Sequence, residues 1–138
     1  TSLGVWVKGQ EDTCYICNFY KDTYARYLDT FFELLKKNQE FLPLFETCKG
    51  FCIPHFGDLV ETAESALSDK EKKTFYAILF PMMEQNMQRL SDDLDWFCDK
   101  FDYRNKDADW RTSKDALPRG MQKAAGGYPA DEPYTMDK

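Results

Sequence analysis

Two short runs of this chain carry ligand chemistry: Cys14-Tyr15-Ile16-Cys17 and Cys52-Ile53-Pro54-His55. Each presents two soft or borderline donors separated by two residues. Side chains three positions apart on a turn entering a helix can converge on one ion, about 2.0 to 2.3 Å from each donor atom. A single CxxC serves several chemistries. Two such pairs, the second containing the only histidine of the chain, match the Cys3His set of a closed tetrahedral structural site. The expected ligands of one zinc ion are therefore Cys14, Cys17, Cys52 and His55.

Other chemistries use the same residues. A CxxC at a helix N-terminus is also a redox pair, because the helix macrodipole favours the thiolate. The usual setting of that motif is a βαβ unit, and no strand pattern precedes Cys14, so a thioredoxin-like enzyme is disfavoured. Three thiolates and an imidazole could equally hold an iron–sulfur cluster. The simplest alternative is unliganded buried thiols with a surface histidine. Five cysteines cannot all pair internally, and a small helical domain does not need such bridges. Cys48 lies four residues before Cys52 and could replace it or stay free, with Gly50 between them allowing a tight turn. Cys52 is preferred because its step to His55 mirrors the step from Cys14 to Cys17. Cys98 reads as a small buried hydrophobe.

The elements that must position these residues are helical. From Asp12 to Lys37, Tyr20, Tyr24, Tyr27, Leu28, Phe31 and Leu35 recur three or four apart, the stripe of an amphipathic helix. Glu40 to Lys49 forms a short second helix, with Pro43 near its start and Gly50 just past its end. Pro54 suits the first turn of a third helix, whose buried face is Phe56, Leu59, Val60, Ala63 and Leu67, and places His55 in that turn. Ser68 and Glu71 form an S-x-x-E capping box that opens a long fourth helix. Along it Met83, Met87, Leu90, Leu94, Phe97 and Phe101 alternate steps of four and three, the seam of one helix packed along another. Pro81 removes one backbone hydrogen bond, so a bend is expected near Phe80. A further helix runs from Ser113 to Ala125, ended by Gly126 and Gly127. The fold class is all-α: a single-domain antiparallel bundle of four to five helices over residues 1–126, its N-terminal half stapled by the metal, followed by a flexible tail over 127–138.

Composition narrows the partners. The 138 residues suit one domain, and 43% hydrophobic with 16% aromatic residues is enough to build a core. A net charge of −6 repels a phosphate backbone, so no nucleic acid is expected. No apolar run approaches the roughly 20 residues of a membrane span, and there is no basic stretch leading into an apolar signal core. The expectation is a soluble cytoplasmic protein with no membrane association and an unidentified protein partner. The chain starts at Thr1 and lacks an initiator Met. Missing or processed N-terminal residues are therefore expected, and residues 1–10 carry no functional argument.

A last run mixes aromatics with both charge signs: Phe101-Asp102-Tyr103-Arg104-Asn105, Asp109-Trp110-Arg111 and Lys114-Asp115-Ala116-Leu117-Pro118-Arg119. Arg104, Arg111 and Arg119 beside Trp110 could form an anion or peptide groove. The preferred reading is structural, with Trp and Tyr anchoring an irregular segment and Asp pairing with Arg at its edge. Glu84, Asp92, Asp93, Asp95, Asp99 and Asp102 read as a solvated helix face. A di-metal centre would need Glu-x-x-His pairs that the chain lacks.

The CxxC at the start of the first helix, the run Gly50-Phe51-Cys52-Ile53-Pro54-His55-Phe56, and the later Phe101-Asp102-Tyr103-Arg104 and Ser113-Lys114-Asp115-Ala116-Leu117-Pro118-Arg119 together carry a family likeness. From about Cys14 to Gly126 the chain resembles an uncharacterised bacterial family of small helical proteins of unknown function. The resemblance implies a helical bacterial protein with a metal site at Cys14, Cys17, Cys52 and His55, and it implies no activity. Such proteins commonly carry Pro within the CxxC; Tyr15-Ile16 stands there here, with the ligand spacing intact.

Three functions follow as expectations. The favoured one is a noncatalytic interaction or regulatory module stabilised by zinc. The second is a thiol-based redox or metal sensor, in which Cys14 and Cys17 oxidise and Cys48 is a resolving thiol. The third is an iron–sulfur or other cofactor-binding protein or enzyme. That last reading is disfavoured by the lack of a Ser-His-Asp set, a phosphate loop or a dinucleotide fingerprint.

Overall fold

The computed structural model describes residues 1–11 and 13–127, and the expected tail from Tyr128 onward lies outside the described residues. These residues form six α-helices and a 3-10 turn, with no strand among them. The helices are α1 (Ser2–Glu11), α2 (Tyr15–Lys37), α3 (Phe41–Glu46), α4 (Ile53–Ala66), α5 (Asp69–Asp99) and α6 (Ala116–Ala125). The all-helical expectation holds. Six helices exceed the expected four to five because α1 forms from residues that the sequence pattern left unassigned. Among the described residues, no helix is long and apolar enough to cross a membrane. The chain divides into two compact units, Thr1–Leu42 and Pro43–Lys138.

In the first unit α2 starts at its N-cap, Cys14, and ends at Asn38, whose N–H donates to the Leu34 carbonyl at 2.8 Å. Lys36 and Lys37 in the last turn complement the carbonyl end of the helix. The buried line differs from the expected stripe. Phe32 is the buried residue of α2, with Tyr24, Leu28, Phe31 and Leu35 half-buried. Tyr20 and Tyr27 are 66% and 68% exposed. Their phenol groups read as core by spacing alone, yet the burial centres one position away, on Phe32. Phe31 meets Phe32 and Phe41 edge to face at centroid distances of 5.2 and 5.3 Å, the arrangement that aromatic quadrupoles favour.

In the second unit α4 and α5 form an antiparallel hairpin. Phe56 meets Phe80, the Tyr76 hydroxyl donates to the Val60 carbonyl at 3.4 Å and the Glu64 carboxylate at 2.7 Å, and Lys72 pairs with Glu64 at 2.8 Å. Each step forward on α4 is matched by an equal step back on α5, which defines the antiparallel register. The connection is short because the Glu71 carboxylate accepts from the Ser68 N–H at 2.8 Å and from its hydroxyl at 2.6 Å, the expected capping box. Leu59, Ala63, Leu67, Phe75, Leu79, Met82, Met83, Leu90 and Ala116 are buried. Phe45 stacks on Phe75 at 5.6 Å, and α6 packs against both α4 and α5.

Three expectations for α5 need correction. The helix runs unbroken through Pro81; Pro81 and Ala77, whose carbonyl loses its partner, are both exposed, so water replaces the missing bond. Met87 and Phe101 on the expected seam are 39% and 74% exposed. The buried residues Phe75, Leu79, Met82, Met83 and Leu90 follow the 3.6-residue period of a helix in a globular core. Cys98, expected in the core, is exposed, because it lies one position off that face.

After α5 the chain is held by side-chain contacts to its backbone. Lys100 is buried, and its ammonium donates to the carbonyls of Asn105, Lys106 and Ala108 at 2.5, 3.0 and 2.6 Å, a substitute for the hydrogen bonds of regular structure. The Trp96 indole N–H donates to the Asp109 carbonyl at 2.9 Å. Phe97 and Phe101 flank Trp110 at 5.8 and 6.5 Å. Arg104 pairs with Asp102 at 2.6 Å. Arg111 adopts a left-handed φ of 54° and lies over the Trp96 ring at 4.3 Å. Aromatic anchors and Asp–Arg pairing thus account for this segment, as the structural reading of the sequence holds.

Candidate functional site

Each cysteine pair sits at a helix start. Cys14 is the N-cap of α2, with φ −68° and ψ 112°, and Cys17 follows in the first turn. Cys52 is the N-cap of α4, with φ −68° and ψ 159°, and His55 follows in the first turn behind Pro54. The two pairs share one local design: an extended N-cap sulfur donor and a second donor three residues on, which the helical turn brings beside it. The first pair belongs to the first unit and the second pair to the second.

The structure joins the members of each pair. The Cys17 amide and thiol both point to the Cys14 sulfur and hold the Cys14 thiol below its ordinary pKa. The same contact raises Cys17, since its thiol donates to Cys14 and a neighbouring thiolate opposes a second charge. Both are exposed. In the other pair the Cys52 sulfur lies 3.0 Å from the His55 ring Nδ1. Two donors on one tetrahedral zinc, with Zn–S about 2.3 Å and Zn–N about 2.0 Å, stand about 3.6 Å apart. Cys52 and His55 would need to open by only about 0.6 Å to share an ion. Among the described residues no group of three or more His, Cys, Asp or Glu side chains is clustered to hold a metal ion. The donor chemistry and local geometry of each pair nevertheless suit zinc.

Cys48 behaves differently from Cys52. It is half-buried, and its thiol donates to the Met82 sulfur at 3.3 Å. The turn between the two cysteines is held by Gly50, at φ 71°, and by the Phe51 N–H on the Met83 sulfur at 3.2 Å. A Cβ on Gly50 would lie 3.0 Å from that sulfur and 3.2 Å from the Lys123 nitrogen, which is why glycine stands there. Gly126, the left-handed C-cap of α6, approaches within 3.2 Å of the Cys52 sulfur by the same measure.

Beside Cys52 and His55 opens a cavity of about 470 Å³. Lys49, Arg89, Arg119 and Lys123 line it together with Phe51, Leu90 and Asn86, and no carboxylate does. Lys123 donates to the Lys49 carbonyl at 3.1 Å; burial pushes its ammonium below the usual lysine pKa, and Arg89 adds to that push against the opposing pull of Cys48 and Cys52. Arg89 donates to the Asn86 side-chain oxygen at 3.1 Å. Arg119 is anchored through one nitrogen to Asp93 at 2.8 Å, Asp115 at 3.0 Å and the Thr112 carbonyl at 2.6 Å. Its Nε is buried with no hydrogen-bond partner.

Asp93 was expected on a solvated acidic face and is instead buried. Burial pushes its carboxyl up, but the Thr112 hydroxyl at 2.6 Å and the Arg119 guanidinium more than reverse this and hold it below the ordinary aspartate value. Sequence reasoning had included Arg119 in a possible groove with Arg104 and Arg111. It missed Lys49, Arg89 and Lys123, which come from three separate segments and share no motif. The only local signal is the four-residue step from Arg119 to Lys123, which puts both on one face of α6.

An all-helical protein with paired sulfur and imidazole donors at two helix N-termini, and a basic cavity beside one of them, is the class that fold and site define. The chain belongs to a family of unknown function, DUF6062, whose model matches residues 1–131. No curated protein and no solved structure matches it.

Proposed function

We propose that this protein is a noncatalytic helical interaction or regulatory module stabilised by one zinc ion. Cys14 and Cys17 supply two thiolates; Cys52 and His55 supply a third thiolate and an imidazole. The observation that carries this reading is the shared design of the two pairs, each an N-cap cysteine with its second donor three residues on. Zinc bound there contributes folding free energy. The test is elemental analysis of protein purified without a metal-affinity tag, repeated on Cys14→Ser and Cys52→Ser. About one zinc per chain in the parent, lost from both variants, supports a shared ion. Zinc retained in Cys14→Ser overturns it.

A second reading rests on the asymmetry of Cys14 and Cys17. The Cys14 thiolate is placed to attack a small-molecule disulfide, releasing one thiol, and Cys17 then displaces the second thiol to close the Cys14–Cys17 bond. Two electrons and the Cys17 proton pass to the oxidant. A metal-free protein whose Cys14–Cys17 disulfide forms and reduces reversibly supports this sensor in place of the zinc module.

A further inference from the structure

We infer that the cavity in the second unit binds a small organic phosphate. The protein as a whole carries a net charge of −6, yet this hollow is lined by Lys49, Arg89, Arg119 and Lys123 and by no carboxylate. Concentrating four cations in one concave surface costs mutual repulsion, which an anionic ligand relieves. The partners that hold two of them are neutral: the Asn86 amide oxygen for Arg89 and the Lys49 carbonyl for Lys123. Each cation keeps donors to spare, since a guanidinium has five and an ammonium three. Arg119 is partly neutralised by Asp93 and Asp115, but its buried Nε still has no partner. An unsatisfied buried donor costs free energy that an oxyanion within reach recovers.

Size and lining select the ligand class. At about 470 Å³ the cavity exceeds the volume of a bare ion and falls in the range of small-molecule pockets. Phe51 and Leu90 add apolar wall against which an organic body can pack. Several cations without a carboxylate favour a doubly charged head over a monocarboxylate, and the planar fork of arginine matches phosphate oxygens. Gly50 is part of the design: a Cβ there would crowd the Lys123 nitrogen at 3.2 Å.

The inference rests on these cations and is separate from the zinc reading. The experiment is calorimetric titration of the full chain with glycerol 3-phosphate, with succinate as the competing anion, at low ionic strength. Saturable one-site binding of glycerol 3-phosphate, weakened about tenfold in Arg89→Gln and in Lys123→Gln, is expected, the scale of one charge-assisted hydrogen bond. Lys49→Ala is the third variant, because Lys49 is exposed and its truncation leaves the fold intact by circular dichroism. Lys73→Gln, outside the cavity lining, leaves affinity unchanged. Unsaturable binding, equal affinity in parent and the three cavity variants, or succinate bound as tightly as glycerol 3-phosphate overturns the inference. Zinc is measured on the same samples. An affinity that falls only in step with zinc content makes the phosphate a metal ligand and also overturns it.

Discussion

Replacing Asp93 or Arg119 tests whether the polar pair behind the cavity is a stabilising unit or a chance contact. Asp93 is 8% exposed and accepts from Thr112 and Arg119. Removing one partner of a buried pair costs about 3–5 kcal/mol when the other charge is left alone. Neither residue is left alone here. Arg119→Ala leaves Asp93 with the Thr112 hydroxyl, and Asp93→Ala leaves Arg119 with Asp115 and the Thr112 carbonyl. Each single change should therefore cost about 2–3 kcal/mol, roughly 8–12 °C in Tm for a chain of this size. The double variant should cost about 1–2 kcal/mol less than the sum, because it strands no charge. Denaturant unfolding of all four proteins at neutral pH gives the coupling. The native pKa of Asp93 is depressed. Its contribution is thus fully present above the ordinary aspartate pKa of about 3.9 and is lost as pH falls through the lower native value. A coupling within about 0.5 kcal/mol of zero at neutral pH, or one that persists undiminished at strongly acidic pH, refutes the reasoning.

Two further outcomes follow from the cysteine pairs. In metal-free protein, alkylation mapped by mass spectrometry should show Cys14 reacting with a pH midpoint below that of an ordinary thiol and Cys17 with one above it; a common midpoint removes the asymmetry on which the sensor reading depends. Gly126→Ala forces an alanine into a φ of 78° with its Cβ 3.2 Å from the Cys52 sulfur, a cost of about 1–2 kcal/mol. Gly57→Ala, in α4 with nothing within 4 Å of the new Cβ, should instead stabilise by about 0.5–1 kcal/mol. Equal melting temperatures for these two variants contradict the close approach of α6 to Cys52.

The fold was legible where local chemistry is decisive. Ser68 and Glu71 announce the start of α5 because a capping box needs only residues three apart. Pro54 and His55 announce α4 for a similar reason. Which face is buried was less legible, since spacing alone cannot separate Tyr27 from Phe32 or Phe101 from Phe75: all are aromatic, and tertiary contact decides. Asp93 is the sharpest case. Among neighbouring acids it looks solvated, and only the return of the chain through Thr112 and Arg119, 19 and 26 residues later, gives it partners inside.

The same limit explains why the cysteine pairs were visible and the basic cavity was not. A ligand pair is written within four consecutive residues, so its type and spacing survive in the sequence. Lys49, Arg89 and Lys123 are separated by whole helices, and each alone reads as a surface cation. Net charge points away from them as well. A charge of −6 spread over the surface opposes an extended polyanion, whose many phosphates must approach many places at once. A cavity of about 470 Å³ admits one small anion and presents it to four local cations before the distant acids are felt, because salt screens exposed charges beyond about 8–10 Å. Global acidity and a local phosphate site are therefore compatible, and together they favour a small phosphate over nucleic acid.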